Sequence, residues 1–326
     1  MITDSSAIPS SPDSYFVSYS LDVSSATVDA ASARPSISSH IGTSSENAEI
    51  TFAPDRPLTR SLALREALSL ILIRQRIIND IYGSVTFSPS VAQSALYSQG
   101  QSAYPGGGGS GPSAQSTTTT VTSAGQSNTL VDCRVCALDL LKKAGYVRAP
   151  SGWLDARGVP LALRATVGPT SLDRQVAAQV EAQWRADGVD VASVVASSDE
   201  LAAYAAASNQ SDVAIFTRPT TTTASYSARS YAGPPYLDSF PSGVRSSILN
   251  GLYATGIAIF NPVTAQGTWL DFDQEVMSDF WVRPLFTAPS LVEWSNTLGL
   301  VYGSTSVPGL VDQVTGWGIV QPPNSG

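Results

Sequence analysis

Charged side chains are scarce in this chain of 326 residues, making up 13% of it against about 25% in an average soluble protein. The few present are unbalanced, because 18 Lys and Arg face 26 Asp and Glu and give a net charge of −8. An acidic chain without a face-long Lys/Arg cluster repels phosphate backbones and anionic lipid. The composition therefore argues against nucleic acid as a partner.

Histidine is nearly absent, since His40 is the single one in the sequence and lies in a Ser-rich stretch without neighbouring acids. A Ser-His-Asp triad or a histidine metal site would have to be built on it alone, so a surface histidine is the better interpretation. Neither G-x-S-x-G nor H-E-x-x-H occurs. We therefore expect no catalytic activity, no metal and no cofactor.

Cysteine occurs twice, as Cys133 and Cys136 in a C-x-x-C at the start of a predicted helix. A thioredoxin-like redox site also needs a strand that feeds this helix, whereas here a low-complexity tract precedes it. The pair is consequently expected to form a local disulfide or to remain as idle thiols, and two cysteines say little about compartment.

Long apolar runs are also missing. The first residues, MITDSSAIPSSPDSYF, have neither a basic start nor an apolar stretch, so they predict no signal peptide and no membrane span. Residues 99–128 are rich in Gly, Ser and Thr and predict a mobile surface loop. A G-x-G-x-x-G within this insert (Gly106, Gly108 and Gly111) has flanking prolines and no preceding strand, which favours a linker over a nucleotide site.

Helical and strand periodicities begin beyond the N-terminal region. Within residues 1–50 only Tyr15 to Val23 alternates like a strand, and the remainder is interpreted as extended. Residues 59–83 carry apolar side chains at helical spacing and end at Gly83, which leaves open one long helix or two consecutive ones.

The segment from Asp132 to Thr217 predicts an α/β layer. A helix stops at Gly145, a Trp153-bearing hairpin follows, and Leu161 to Val167 alternates like a half-buried strand. Two capping boxes, Thr170 with Asp173 and Ser197 with Glu200, open helices that lead to strands at 189–195 and 212–217. Strands joined by helices through short loops run parallel.

Three sequence blocks in this order resemble the family 5 extracellular solute-binding proteins, the peptide and nickel receptors of ABC transporters. The blocks are PLTRSLALREALSLILIRQRIINDIYG, ALDLLKKAGYVRAPSGWLDARGVPLAL and LDRQVAAQVEAQWRADGVDV, and WVRPLFTAPSLVEWSNTLGLVYG is similar to the family's last crossing between lobes. The resemblance implies a periplasmic-binding-protein-like (type II) α/β fold. It further implies the C-terminal lobe, with a mostly parallel sheet flanked by helices and the N-terminal lobe largely absent.

On this basis residues 1–56 are expected to be an extended remnant of, or connection to, the N-terminal lobe. Residues 57–283 would form the C-terminal solute-binding lobe with the insert 99–128, and residues 284–326 would return toward the N-terminal lobe.

Two departures from the family pattern stand out. Ile73 occupies the place of an Asp that caps the second helix in the family, so the break between the two helices is expected to be lost. No acidic residue lies between Asp212 and Asp238, whereas many peptide receptors have an acid here for the peptide amine. Capture of an amine by that route is therefore not expected.

Ligands of open α/β sheets gather beyond the carboxyl ends of the strands, near helix N-termini. The ends here are residues 168–171, 196–198 and the loop 218–238. That loop holds cations and rigid aromatics suited to an anionic or aromatic solute, namely Arg218, Tyr226, Arg229, Tyr231 and Tyr236. Asp271, Asp273 and Glu275 are interpreted as acids in the first turn of the helix FDQEVMSDFW rather than as a catalytic pair or a calcium site.

The resemblance implies a solute-binding component of an ABC transporter, which closes two lobes on a peptide or other small solute and docks on a permease. The alternative is a cell-envelope scaffold or regulatory protein with the same fold that has lost solute binding. In either case the family implies a monomer on the extracellular side of the envelope, attached to the membrane only by a lipid anchor or through the permease.

Overall fold

The computed structural model describes residues 17–21, 23–54, 56–85, 87, 89–99, 104–105, 122–123, 126–127, 132–198, 210–220, 224–229, 231–232, 246–296, 298–299 and 318–319. The second capping box reaches Glu200, and the helix predicted after it lies outside these residues, as does most of the insert 99–128. Within that insert, Tyr104 is buried, and its hydroxyl accepts a hydrogen bond from the Gln93 amide at 2.8 Å.

Eight helices lie within the described ranges. They are α1 (Ser25–Ser32), α2 (Leu62–Ile71), α3 (Arg74–Tyr82), α4 (Arg134–Lys143), α5 (Ser171–Ala186), α6 (Ala224–Arg229), α7 (Ser247–Ala258) and α8 (Pro262–Ser278). None of these described helices combines the length and apolar character needed to cross a bilayer.

The strands comprise one large sheet and three small two-stranded pairings. They are β1 (Val17–Ser20), β2 (Ile37–Phe52), β3 (Thr122–Ser123), β4 (Gln126–Ser127), β5 (Val147–Ala149), β6 (Gly152–Leu154), β7 (Ala162–Val167), β8 (Asp190–Val195), β9 (Val213–Pro219), β10 (Val282–Ser295), β11 (Leu298–Gly299) and β12 (Gly318–Ile319). The large sheet has the order β1-β10-β2-β9-β7-β8.

The three strands predicted to be parallel are parallel, because β7 pairs with both β8 and β9 in that sense. The sheet as a whole is mixed rather than mostly parallel, since β9–β2, β2–β10 and β10–β1 are antiparallel pairs. The difference arises because the strands that add to β9 come from the N-terminal and C-terminal regions of the chain and not from further helical crossovers.

Residues 23–54 contain more regular secondary structure than their sequence suggested. Residues 25–32 form α1, and residues 37–52 form the longest strand of the sheet. From Asn47 to Phe52 every residue of β2 is buried, with Ala48, Ile50 and Phe52 in the main hydrophobic core. This part of the chain therefore supplies central structure, although its Ser-rich first half shows no apolar alternation.

The break between α2 and α3 is retained, contrary to the expectation from Ile73. The backbone at Ile73 is extended, and its side chain makes no capping bond. A carboxylate from elsewhere replaces the missing cap, because Asp132 Oδ2 accepts the Arg74 amide at 2.7 Å. Two separate helices are thus present, α2 and α3.

The tryptophan hairpin has the predicted form. Gly145 adopts a positive φ of 89° just after α4, and β5 pairs antiparallel with β6. Trp153 is buried, and its indole N–H donates to the Asp187 carbonyl at 2.7 Å. The hairpin is therefore fixed against the end of α5.

The helix α8 begins at Pro262, earlier than the sequence indicated, so the acids at 271–275 lie in its later turns. The expectation that a helix N-terminus stabilises these acids is therefore wrong. Asp273 is instead buried, and its Oδ1 accepts the Ala95 and Leu96 amides at 2.8 and 3.0 Å. The helix register differs because Asn261 and Pro262 supply a stronger start signal, a side-chain cap followed by proline.

Candidate functional site

The carboxyl ends of the parallel strands lie beside the N-terminus of α5. Thr170 Oγ1 accepts the Asp173 amide at 3.0 Å, and Asp173 Oδ2 accepts the Thr170 amide at 3.0 Å, which is the predicted capping box. The hydroxyl of Thr217, near the end of β9, donates to Asp173 Oδ1 at 2.7 Å. A carboxylate of the chain itself therefore occupies this helix N-terminus, where an anion would otherwise be favoured.

A second carboxyl group lies at the same edge. Glu46 of β2 is in register with Pro219, the last residue of β9. Burial and, to a smaller extent, the nearby charge of Asp173 together raise the pKa of Glu46 to about 7. This carboxyl group consequently changes protonation near neutral pH, so it can donate or accept a hydrogen bond there.

Arg218 is the predicted cation for which the structure gives the most contacts. Its guanidinium lies 2.8 Å from Glu49 Oε1, 4.5 Å from the ring centre of Tyr231 and 5.2 Å from that of Phe216. The Tyr231 hydroxyl donates to Glu49 Oε2 at 3.1 Å. Arg218, Tyr231 and Glu49 form one buried group, which we call the Arg218 cluster.

Burial dominates the electrostatics of the Arg218 cluster. It raises the pKa of Glu49, while the charge of Arg218 acts in the opposite direction. Burial also raises the pKa of the Tyr231 hydroxyl, which is therefore a hydrogen-bond donor at neutral pH. Among the described residues, none accepts from Nε or Nη1 of Arg218.

The five residues predicted to grip a solute have different environments. Arg218 and Tyr231 are brought together but are buried, with 7% and 1% of their surfaces exposed. Tyr226 is exposed and Arg229 is partly exposed, both on α6. Tyr236 lies outside the described residues. Side chains from α6 are therefore the accessible members of the predicted set.

Sequence reasoning missed Glu46 and Glu49 because they lie in the N-terminal region, which was interpreted as lacking a period. A signal was present, since residues 47–52 alternate polar and apolar (Asn-Ala-Glu-Ile-Thr-Phe), which is the pattern of a half-buried strand. Asp173 was identified only as a helix cap. Its second hydrogen bond comes from Thr217 on β9. This bond could not be predicted from neighbouring residues, because the sheet brings Thr217 to Asp173.

A second charged cluster is centred on Asp132, which follows the insert in the sequence. It joins two distant parts of the chain. Asp132 Oδ1 accepts from Arg74 Nε at 2.8 Å and from Arg283 Nη2 at 2.6 Å. Arg283 is fully buried, and burial lowers its pKa to about 9. One carboxylate thus serves two buried guanidinium groups, which points to a structural role.

Cys133 follows Asp132 directly and is joined to Cys136 by a disulfide. The sulfur of Cys133 also accepts the Cys136 amide at 3.3 Å, at the start of α4. His40 is exposed on β2, as expected of a surface histidine. In the described ranges no three His, Cys, Asp or Glu side chains are grouped so that they could hold a metal ion.

No known protein family and no curated protein matches the chain by sequence. Solved structures do match it. The periplasmic EDTA-binding protein EppA superposes with a TM-score of 0.73 at 14% identity, over 94% of this chain and 55% of that one. NikZ from Campylobacter jejuni, solved with Ni(L-His), gives 0.68 at 12% identity, over 92% and 57%.

A dipeptide-binding protein from Pseudoalteromonas sp. SM9913, solved with Met-Leu, gives a TM-score of 0.65 at 14% identity, over 87% of this chain and 50% of that one. The chain therefore spans about half the length of these proteins. At such low identity the likeness establishes the fold alone. The expectation from the sequence blocks is confirmed at that level, because the chain has the periplasmic-binding-protein-like fold of the peptide- and nickel-type solute-binding proteins.

Proposed function

We propose that the chain contributes to solute capture by an ABC transporter and has no catalytic activity. The observation that carries this proposal is the fold likeness over nearly the whole chain to proteins solved with small ligands, namely Ni(L-His) and the dipeptide Met-Leu. The same likeness gives no support to the alternative of an envelope scaffold that has lost solute binding.

The proposed binding edge is the one formed by the ends of β7 and β9, the start of α5, and α6. Tyr226 and Arg229 are its accessible side chains, and Tyr236 belongs to the predicted set. The Arg218 cluster is buried, and it would fix the position of β9. An exposed tyrosine and arginine suit a solute with a carboxylate or an aromatic ring.

A thermal-shift screen of the full chain tests this proposal. The solutes are dipeptides, Ni(L-His) and Fe(III)-EDTA, each titrated over a wide range. A ligand at about 100 times its Kd stabilises the folded state by ~2.7 kcal/mol, so Tm should rise with concentration. No concentration-dependent rise with any solute class would contradict solute capture by this chain.

Site variants locate the binding edge. Tyr226→Ala and Arg229→Gln should reduce the ligand-dependent rise in Tm while leaving the Tm of the free protein unchanged, because both side chains are accessible. Arg157→Gln is the matched control, since Arg157 is exposed and lies before β7, at the opposite edge of the sheet. An equal loss in the control would contradict the assignment of the edge.

The arrangement of the whole receptor is also part of this proposal. Residues 57–283 would form the solute-binding lobe together with β2 and β10 of its sheet, and the remainder of residues 1–56 and 284–326 would connect it to the rest of the receptor. The receptor would work as a monomer with a permease on the extracellular side of the envelope. Co-purification with the permease from detergent-solubilised membranes would test the pairing, and equal recovery without the permease would contradict it.

A further inference from the structure

The turn between α7 and α8 exposes the most accessible large apolar side chain among the described residues. Phe260 in this turn is 99% exposed, and Val263 in the first turn of α8 is 77% exposed. Ile257, near the end of α7, is 52% exposed. These three residues, Ile257, Phe260 and Val263, are called the hairpin tip below.

The surroundings of the hairpin tip carry no charge. Residues 246–270, which span α7, the turn and the first half of α8, contain no Asp, Glu, Lys, Arg or His. In α7 only Leu249 and Gly256 are buried. An exposed helix of a soluble protein normally places charged side chains on its outer face. This hairpin is therefore unusual in presenting an uncharged surface to its surroundings.

Packing between α7 and α8 fixes the position of the hairpin tip. A Cβ atom at Gly256 would lie 2.5 Å from the Trp269 ring, so the glycine allows α7 to rest directly on that indole. Trp269 also packs edge to face with Tyr253, with ring centres 6.1 Å apart. Asn261 Oδ1 accepts the Val263 amide at 3.0 Å and fixes the start of α8. The apolar side chains are thus displayed by a packed element.

We propose that the hairpin tip inserts into the surface of a lipid bilayer. Phe260, Ile257 and Val263 would enter the boundary between headgroups and acyl chains, as the apolar faces of interfacial helices do. The absence of charge from residues 246–270 matches this layer, because a charged side chain would have to be desolvated there.

A second copy of the chain fits the hairpin tip less well. Full burial of Phe260 covers about 200 Å², and the two aliphatic neighbours are already partly covered. A stable protein interface needs roughly 800 Å² on each partner. A bilayer needs no complementary patch, so a small protruding tip is sufficient for it.

The inferred contact goes beyond solute capture and does not depend on it, because no residue of the hairpin tip belongs to the proposed binding edge. It also adds a direct membrane contact to the lipid anchor or permease expected from the family. Since the chain has a net charge of −8, attraction to anionic headgroups cannot drive it. Binding should therefore be insensitive to salt and should not require anionic lipid.

Co-sedimentation of the full chain with phosphatidylcholine vesicles tests the inference. The unmodified protein should partition onto the vesicles equally at low and high salt. The double variant Phe260→Ser with Val263→Ser should partition at least tenfold less, whereas Phe260→Trp should keep the affinity. Since these side chains are exposed, Tm should not change in any of the variants.

Val135→Ser with Val194→Ser is the matched control, because these valines are 73% and 70% exposed on α4 and β8. The control should bind vesicles like the unmodified protein. The inference is overturned if the unmodified protein does not bind, if binding needs anionic lipid and low salt, or if the control loses as much. It is also overturned if Phe260 instead mediates self-association in sedimentation velocity without vesicles. The assay contains no solute, so its failure is separate from a failed solute screen.

Discussion

Asp132 joins two arginines that are far from each other in the chain, and it also caps α3. Its carboxylate contacts the Arg74 amide, Arg74 Nε and Arg283 Nη2. Both guanidinium groups are buried, so they rely on this partner for compensation. Removing one member of a buried ion pair costs more than the pair itself contributes, because the remaining charge is left in a medium of low polarity.

We predict that Asp132→Asn lowers the free energy of unfolding by about 3 kcal/mol, within the range for breaking a buried pair. Urea denaturation of the two proteins would measure the difference. Asp139→Asn is the control, because Asp139 forms an exposed pair with Lys142 on α4 and should change stability by less than about 0.5 kcal/mol. Equal effects of the two changes would contradict the role given to Asp132.

The Arg218 cluster permits a second prediction at this scale. Arg218→Met should be strongly destabilising because it leaves Glu49 buried without its cation, whereas Arg218→Met with Glu49→Gln should recover most of the loss. A double-mutant cycle in urea would give the coupling energy, expected at 1 kcal/mol or more, as an order of magnitude for groups in contact. Additive single effects would show that the pair does not act as a unit.

Local sequence rules accounted for residues whose partners are near in the chain. The Thr170 and Asp173 capping box and the positive φ of Gly145 were both predicted in this way. The replacement of the Ile73 cap by Asp132 could not be predicted, because the cap comes from a segment beyond the insert. Likewise, the burial of Arg218 depends on Glu49, which is brought to it only by the pairing of β2 with β9.

At the scale of elements, two glycines have different surroundings: Gly152 begins β6 in the hairpin, and Gly158 lies in the turn between β6 and β7. Gly152 has a φ of 127°, and a Cβ atom there would lie 2.5 Å from the Gly188 carbonyl oxygen. Gly158 has a φ of 79°, but a Cβ atom there would meet nothing within 4 Å. Both positions disfavour an L side chain, and only the first also lacks space.

We therefore predict that Gly152→Ala destabilises the protein more than Gly158→Ala does. The second change should cost about 1 kcal/mol from the backbone conformation alone, and the first should exceed it because the end of α5 must also shift. Thermal unfolding of both variants would rank them. The opposite order, or equal values, would show that the contact between the hairpin and Gly188 is not tight.

The elements that sequence reasoning found share a property, which is a simple period over one chain segment. β7 alternates because one of its faces is buried, and α5 has a continuous apolar stripe from Leu172 to Trp184. β2 was missed because its first half is rich in serine. Its second half is buried on both faces, where polar side chains such as Asn47 are satisfied by partners from other elements.

At the scale of the whole molecule, two carboxyl groups with raised pKa values make stability depend on pH. Burial raises the pKa of Glu46 from 4.5 to about 7 and that of Asp273 from 3.8 to about 6. A carboxyl group whose pKa is higher in the folded state than in the unfolded state favours folding while it is protonated. That contribution is complete below the unfolded pKa and is lost as the pH rises through the folded pKa.

We expect these two groups to reduce stability as the pH rises from about 4 to about 7. Unfolding in urea at a series of pH values would show the slope. In Glu46→Gln the slope between pH 4.5 and 7 should be smaller, because the glutamine cannot ionise. A slope unchanged by this substitution would contradict the raised pKa of the partly buried Glu46.

The position of β10 in the sheet has a consequence for biosynthesis. This strand comes from residues 282–295, yet it lies between β1 and β2, which come from the first part of the chain. The layer around β7, β8 and β9 can assemble from one continuous stretch as it leaves the ribosome. Its neighbour, β2, must wait with one edge unpaired until residues 282–295 emerge, and such long-range closure is slow and vulnerable to aggregation.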